Sequence, residues 1–373
     1  MKRILLVTRP IAPPWDEASK NFAYHLAQNI DKRDFELHLM TKGVLADLPD
    51  EVIQENIYTR SENDFSFSQK IRSLMFQLKN RNSFNIAHYF FTPTKLNSFI
   101  IKRFVKNRKL RTVQTVATLR EDLFSDAEIK TLIFADYVAT YSDYAKNKLN
   151  LLGFKKVSRI YPGIDLQQYL MRPKNQELMK IFNFSAGDFV IHFGGEYVRL
   201  GAIDDVVDAF ISVSQKIPNA KLFLAVRVKN SKDAEKKEQV ISKLKKQKLL
   251  EKVAFFDDGR FEMEEIYNLA DISLFPVRNM HGKFDVPLVV VEAMACEKPV
   301  ILSDIPILQE FATKDNSVTI QKGDVAGLAR AISDLHDNIE KRKLLGKQAR
   351  KYVEDNFDIK KVAGIYEKIY EKL

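Results

Sequence analysis

Residues 263–310 read MEEIYNLADISLFPVRNMHGKFDVPLVVVEAMACEKPVILSDIPILQE. The run Ile272–Phe275 is short and apolar, and Pro276 closes it, as suits a strand that must stop. After a loop, Val289–Cys296 reads as a helix, and Val300–Leu302 as the next strand. Strand, helix and strand in so short a span form the crossover unit of a parallel sheet covered by helices.

The same alternation runs outward in both directions. Toward the N-terminus, strands are predicted at Ile4–Thr8, Phe35–Met40, Phe84–Phe91, Thr112–Val116, Tyr137–Thr140 and Val157–Tyr161. A helix is predicted from about Glu17 to Ile30, with Phe22, Leu26 and Ile30 at helical spacing. Ser142 reads as the N-cap of a helix over Asp143–Leu152. The turn Pro162-Gly163-Ile164-Asp165 and the polar stretch after it mark a boundary near 162–175. Beyond it, strands are predicted at Phe189–Gly194, Lys221–Val226 and Val253–Phe256, with helices at Ile203–Gln215 and 232–248. The last fifty residues read as helical. The fold class is therefore α/β, with two doubly wound halves that leave a cleft, where open sheets bind ligands beyond the carboxyl ends of their strands. The expected domains are 1–165, 166–355, and a C-terminal helical segment, 356–373, that crosses back to the first.

Composition narrows the function classes. The 373 residues suit two ordinary domains, and 45% hydrophobic residues provide a core for each. Cys296 is the only cysteine, so no internal disulfide forms. The N-terminal apolar run ends at Arg9 and Pro10, too soon for a signal peptide, and no window is apolar enough for a membrane helix. A cytosolic protein, or one peripheral on the inner face of a membrane, is expected. The net charge of +10 calls for anionic partners. Nucleic acid is not among the expected ones, because no zinc-finger spacing, aromatic RNP-like strand or recognition helix is present.

The opening stretch, read residue by residue, resembles the donor site of the retaining glycosyltransferases of family 4, the group 1 glycosyl transferases. Tyr267, Ala270-Asp271, Pro276, Glu292-Ala293-Met294-Ala295, Lys298-Pro299-Val300 and Glu310 match that family's pattern in order. The segment YSDYAKNKL (141–149), the turn IYPGID and the C-terminal helix extend the likeness over nearly the whole chain. The resemblance implies a GT-B fold, with two Rossmann-like domains facing each other across a cleft. It also implies sugar transfer from a nucleotide-sugar donor to an acceptor hydroxyl, with retention of configuration, no metal and no bound cofactor. Glu292 would accept hydrogen bonds from the ribose hydroxyls. Val286, Pro287 and Leu288 open the helix that carries it, where free backbone N–H groups and the helix dipole favour phosphate.

Three departures from the family pattern stand out. The glutamate expected eight residues before Glu292 is Phe284, and the neighbouring Asp285 is the candidate catalytic substitute. In the loop after the strand FVIHFG, the Arg and Lys positions are Gly195 and Leu200. Gly194 and Gly195 would border the diphosphate, with Arg199 or Lys283 as the substitute cation. The usual acceptor-side histidine is replaced by Ala117 or Thr118, which leaves His88 as the candidate. Asp16, Glu17, Ser19 and Lys20, on the loop after the first strand, are the acceptor-side candidates.

The stretch 66–84 is amphipathic, with Phe67, Ile71, Leu74, Met75 and Leu78 on one face and basic residues elsewhere. A second basic cluster spans 102–111. Such patches suit an anionic membrane bearing a lipid-linked or glycan acceptor. The rival reading is a non-catalytic GT-B binding or partner protein that has lost part of its donor-site machinery. A GT-B epimerase or phosphorylase is the third.

Overall fold

The structure, a computed structural model, describes residues 1–13, 15, 17–59, 65–90 and 94–373. The chain divides into two compact units, one of residues 1–165 with 356–373, the other of residues 166–355.

The first unit holds seven parallel strands: β1 (Lys2–Ile11), β2 (Phe35–Thr41), β3 (Ile53–Asn56), β4 (Ile86–Tyr89), β5 (Arg111–Val116), β6 (Tyr137–Thr140) and β7 (Val157–Arg159). Their order is β3-β2-β1-β4-β5-β6-β7. Its helices are α1 (Ala18–Asn29), α2 (Phe67–Asn80), α3 (Lys95–Ile100), α4 (Asp126–Leu132) and α5 (Asp143–Leu151). Ser142 caps α5 by accepting from the Ala145 N–H at 3.0 Å, as its position predicted. The stretch Ile4–Val7 of β1 is buried on both faces, which explains why it reads as an unbroken apolar run.

The second unit repeats the design with six parallel strands: β8 (Phe189–Gly194), β9 (Ala220–Ala225), β10 (Val253–Phe256), β11 (Ile272–Phe275), β12 (Val300–Ser303) and β13 (Val318–Ile320), in the order β10-β9-β8-β11-β12-β13. Its helices are α6 (Gln176–Ile181), α7 (Ile203–Ser214), α8 (Ser231–Lys246), α9 (Met263–Leu269), α10 (Leu288–Ala295), α11 (Pro306–Gln309), α12 (Val325–Asp337) and α13 (Ile339–Asn356), whose last residue begins the return to the first unit.

The first unit is completed by α14 (Ile359–Lys372), whose Tyr366 and Tyr370 are fully buried. His88 binds this helix to the sheet. Its Nδ1 lies 2.6 Å from the Tyr370 hydroxyl and its Nε2 2.8 Å from the Thr115 hydroxyl. His88 is 0% exposed, and burial holds its pKa well below the usual imidazole value. This corrects the expectation of a reactive histidine: both ring nitrogens are engaged in a dry core, so the neutral ring is a structural link.

The outgoing and returning chains meet where the sequence reads Pro162-Gly163. Ile164 donates to the Phe357 carbonyl at 2.8 Å, and Ile359 donates to the Ile164 carbonyl at 3.1 Å. Tyr161 stacks on Phe357 with ring centroids 4.5 Å apart. A Cβ at position 163 would lie 2.8 Å from the Ile359 Cα, so the glycine is needed for this close approach.

The apolar residues of α2 differ in burial. Leu74 and Leu78 are partly buried, whereas Phe67, Ile71 and Met75 are exposed, and the buried residues are Gln69, Ser73 and Gln77. Phe91, the last residue of the expected strand 84–91, lies outside the described residues.

Gly163→Ala is expected to destabilise the protein by about 1–3 kcal/mol, because the added methyl collides with backbone that cannot turn aside. The midpoint of urea unfolding measures it, and an unchanged midpoint would refute the close-approach account.

Candidate functional site

The strand order of the second unit reverses between β8 and β11, so the loops after these two strands diverge and leave a crevice at their carboxyl ends. The β8 loop runs from Gly194 to α7. The β11 loop runs from Pro276 to α10.

The β8 loop explains its own departures. A Cβ at Gly195 would fall 2.6 Å from the buried Phe193 ring, so no arginine can stand there without moving that ring. Leu200, at the expected lysine position, is fully buried. Gly201 follows with φ +68°, a conformation that favours glycine.

The cations come from elsewhere. Arg199 Nε donates to Glu196 Oε2 at 2.6 Å, and its Nη2 donates to Glu196 Oε1. Arg199 Nη1 donates to the Gly282 carbonyl at 2.8 Å, which ties the two loops together. Lys229 Nζ lies 3.1 Å from Glu196 Oε1. Lys283 from the β11 loop adds its charge to the same carboxylate. Burial alone would raise the Glu196 pKa, but Arg199, Lys229 and Lys283 override it and hold the carboxyl at about 2. One carboxylate therefore faces three cations, and the cluster keeps a net positive charge. Glu196 had no place in the sequence reading, because its partners are spread over residues 199, 229 and 283.

Arg278 is a different case. It forms a forked pair with buried Asp205, at 2.9 Å and 2.6 Å, and it packs beneath Gly201. It supports the loop.

Helix α10 starts at Leu288 with Pro287 as its N-cap, a residue whose side chain caps nothing. The first N–H groups of α10 thus receive no cap from the side chain of the N-cap residue. Glu292 sits in the second turn, beyond the first-turn position where a carboxylate simply answers the dipole. The Tyr267 hydroxyl donates to its Oε2 at 2.7 Å, and Tyr169 is a second hydrogen-bond partner. Burial pushes the Glu292 carboxyl up to about 7, against the opposing pull of the two tyrosines and Lys283. Lys283 is thus the electrostatic link between Glu196 and Glu292, and its own pKa is lowered by burial.

Behind Tyr267 stands His192, with ring centroids 5.1 Å apart. Its Nδ1 pairs with the Ser273 hydroxyl at 2.9 Å, and burial lowers its pKa to about 3. It is a neutral wall under Gly194, where an added Cβ would come within 3.0 Å of its ring.

Among the remaining predicted residues, Asp285 and Val286 are buried in the turn into α10, and Phe284 beside them is partly buried. In the first unit, Glu17 pairs with Arg9 at the start of α1. Ser19 is partly buried. Lys20 is buried and donates to the Ala12 carbonyl at 2.9 Å, so its ammonium braces the loop. Asp16 lies outside the described residues. Among the described residues, no group of three or more His, Cys, Asp or Glu side chains could hold a metal ion, and no helix is long and apolar enough to cross a membrane.

Comparison with known proteins agrees with this geometry. The family model of the glycosyl transferases group 1 matches residues 174–352. The N-acetyl-alpha-D-glucosaminyl L-malate synthase of Bacillus anthracis is 24% identical over 366 residues, covering 92% of this chain and 91% of that protein. An uncharacterized glycosyltransferase of Methanocaldococcus jannaschii is 23% identical over 298 residues, covering 76% and 73%. Among solved structures, the Anabaena HepE protein in complex with UDP-glucose has a TM-score of 0.76 at 16% identity, with 100% of both chains covered. A glycosyltransferase from Rickettsia africae has a TM-score of 0.77 at 14% identity, covering 100% of this chain and 98% of that one. These likenesses establish the GT-B fold.

The raised Glu292 pKa has a sign. Between about pH 4.5 and 7 the folded protein keeps a proton that the unfolded chain has lost, so stability falls as pH rises through that window. Glu292→Gln should remove roughly 3 kcal/mol of that fall, an order-of-magnitude figure from the linkage of proton binding to folding. Urea unfolding of both proteins across the window measures it, and parallel curves would show that the carboxyl is unperturbed.

Proposed function

We propose that this chain, whose residues 174–352 belong to the group 1 glycosyl transferases, moves a sugar from a nucleoside-diphosphate sugar to an acceptor hydroxyl. The observations that carry the reading are Glu292 held by the Tyr267 hydroxyl at 2.7 Å and the Arg199–Glu196–Lys229 cluster, with Lys283 acting electrostatically on both carboxylates. A nucleoside diphosphate presents ribose hydroxyls beside two phosphates. Glu292, oriented by Tyr267, accepts from the ribose, and ionised it can take more than one hydroxyl. Lys283, Lys229 and Arg199 face the diphosphate, joined by the N-terminal end of α10. The side-chain-free Gly194-Gly195 turn lets the backbone approach.

Glu196 already occupies part of the cation cluster. The diphosphate is therefore in competition with it, or lies on the outer side of the same cations. Asp285 takes the sugar-contacting role that Phe284 cannot fill. Neutralising the leaving diphosphate with fixed protein cations, preorganised around the charge that develops, supplies the chemistry without a metal. Retention of configuration is the outcome proposed here, on the strength of the sequence resemblance to family 4. The acceptor is a glycan or a lipid-linked glycan, held by the first unit beyond the carboxyl end of β1, where Glu17 and Ser19 lie at the start of α1. The rival, a nucleotide-binding protein without transfer, rests on Phe284 and on the internal Glu196 counter-charge. It predicts nucleotide binding without turnover.

Thermal-shift titration with UDP, GDP and ADP, together with hydrolysis of the matching nucleotide sugars, tests the reading. One nucleoside diphosphate should stabilise the protein by about 2.7 kcal/mol at a hundredfold excess over its Kd. Indifference to all three would overturn both the transferase and the binding reading. Lys283→Ala should weaken that nucleotide by about tenfold or more, as expected for the loss of a hydrogen bond to a charged group. Glu196→Gln should tighten it, and weaker binding after this change would show that Glu196 holds the cations in place instead of competing for them.

A further inference from the structure

Helix α2 is built inside out. Its buried residues Gln69, Ser73 and Gln77 recur every four positions. Each is satisfied internally. Gln69 donates to the Thr59 hydroxyl at 2.9 Å and accepts from the Thr59 N–H at 3.2 Å. Gln77 accepts from the Tyr89 hydroxyl at 3.1 Å and donates to the Ser73 hydroxyl at 3.2 Å. The stripe facing away, at the same four-residue spacing, is Phe67, Ile71 and Met75, with Phe67 74% and Met75 59% exposed. A surface helix ordinarily shows the opposite arrangement.

The neighbouring helix repeats the pattern. Leu96 and Phe99 of α3, and Phe104 of the π-helical extension Ile101–Val105, are exposed. Arg81, just beyond α2, donates to the Phe104 carbonyl at 2.5 Å and ties the two elements together. Six large apolar side chains thus stand in solvent on adjoining helices, more than scattered surface residues account for.

The charge around them is mostly of one sign, although Lys95 pairs with Glu128 and Lys106 with Asp136. Residues 65–111 contain eleven Lys or Arg and no Asp or Glu, whereas the whole chain nets +10. Lys70, Arg72, Lys79 and Arg103 are all exposed on these helices.

We infer that α2 and the α3 segment form a docking face for an anionic lipid bilayer. The apolar side chains enter the boundary between headgroups and acyl chains, while the cations meet the lipid phosphates. A second copy of the chain fits poorly, because it would press two predominantly basic surfaces together, with Lys70, Arg72, Lys79 and Arg103 exposed on each. A polyanion without acyl chains would pair the charges but leave Ile71 and Met75 uncovered. The face extends the proposal of a lipid-linked acceptor, and its biological sense rests on that proposal. Its test needs no donor, so failure here leaves the transfer chemistry standing.

The full chain is floated with vesicles of phosphatidylcholine alone and of phosphatidylcholine with phosphatidylglycerol, at low and high salt. Binding is expected only to the anionic vesicles and is expected to weaken with salt. The triple variant Phe67→Ser, Ile71→Ser, Met75→Ser should lose vesicle affinity about tenfold or more. Lys70→Ala and Arg103→Ala should each lose about fivefold. If the triple variant does not fold, Phe67→Trp serves in its place, and its fluorescence should shift to the blue on anionic vesicles. No binding at low salt overturns the inference. So does binding that ignores the apolar changes, or a dimer in sedimentation that the triple variant dissolves without altering vesicle affinity.

Discussion

Everything in the first unit depends on the chain coming back to it. The contact of Gly163 with Ile359, and the two backbone hydrogen bonds beside it, hold the outgoing and returning segments together. Past this point α14 places Tyr366 and Tyr370 into the first core, where His88 and Thr115 meet their hydroxyls. A polar network this dry is costly unless complete, so the helix has little freedom in register. The second unit, by contrast, is assembled from one uninterrupted segment.

The proposed donor-side chemistry lies at the switch point of that segment. Its electrostatics are unusual in two linked ways. A carboxylate held at about 2 sits among cations, and another at about 7 sits among tyrosines. Lys283 acts on both. Two acids perturbed in opposite directions this close to one lysine are the electrostatic basis of the proposed site. The cations also arrive by an indirect route: the Phe193 ring closes position 195 to any side chain, and a buried leucine fills position 200. Positive charge is supplied instead from the end of the β8 loop, from residue 229 and from the β11 loop.

The buried strands were legible in the sequence because parallel strands covered on both faces are apolar throughout. β1, β5, β6, β8, β10, β11 and β12 fall where those runs predict them. β3 was not legible, since its residues IQEN carry no apolar run and lie at a sheet edge. Glu292 was legible through its flanking motif. Glu196 was not, because an ion-pair cluster assembled from three loops leaves no spacing to read. His88 was misread, since a histidine at a strand end has the same sequence signature whether it faces solvent or core. For α2, periodicity located the helix but could not say which stripe faced in. Glutamines that find partners in the fold can be buried as well as leucines can.

The return of α14 also bears on the order in which the protein is made. During synthesis the complete sequence of the second unit, 166–355, emerges before residues 356–373. That unit can fold as a contiguous domain while the first is still incomplete. The first sheet must meanwhile wait without its last helix, with His88, Phe22 and Phe35 lacking the tyrosines that later cover them. The docking of this fourteen-residue helix joins residues as far apart in the chain as His88 and Tyr370. Until it happens, a nascent chain carries an unsealed apolar surface that a chaperone would recognise.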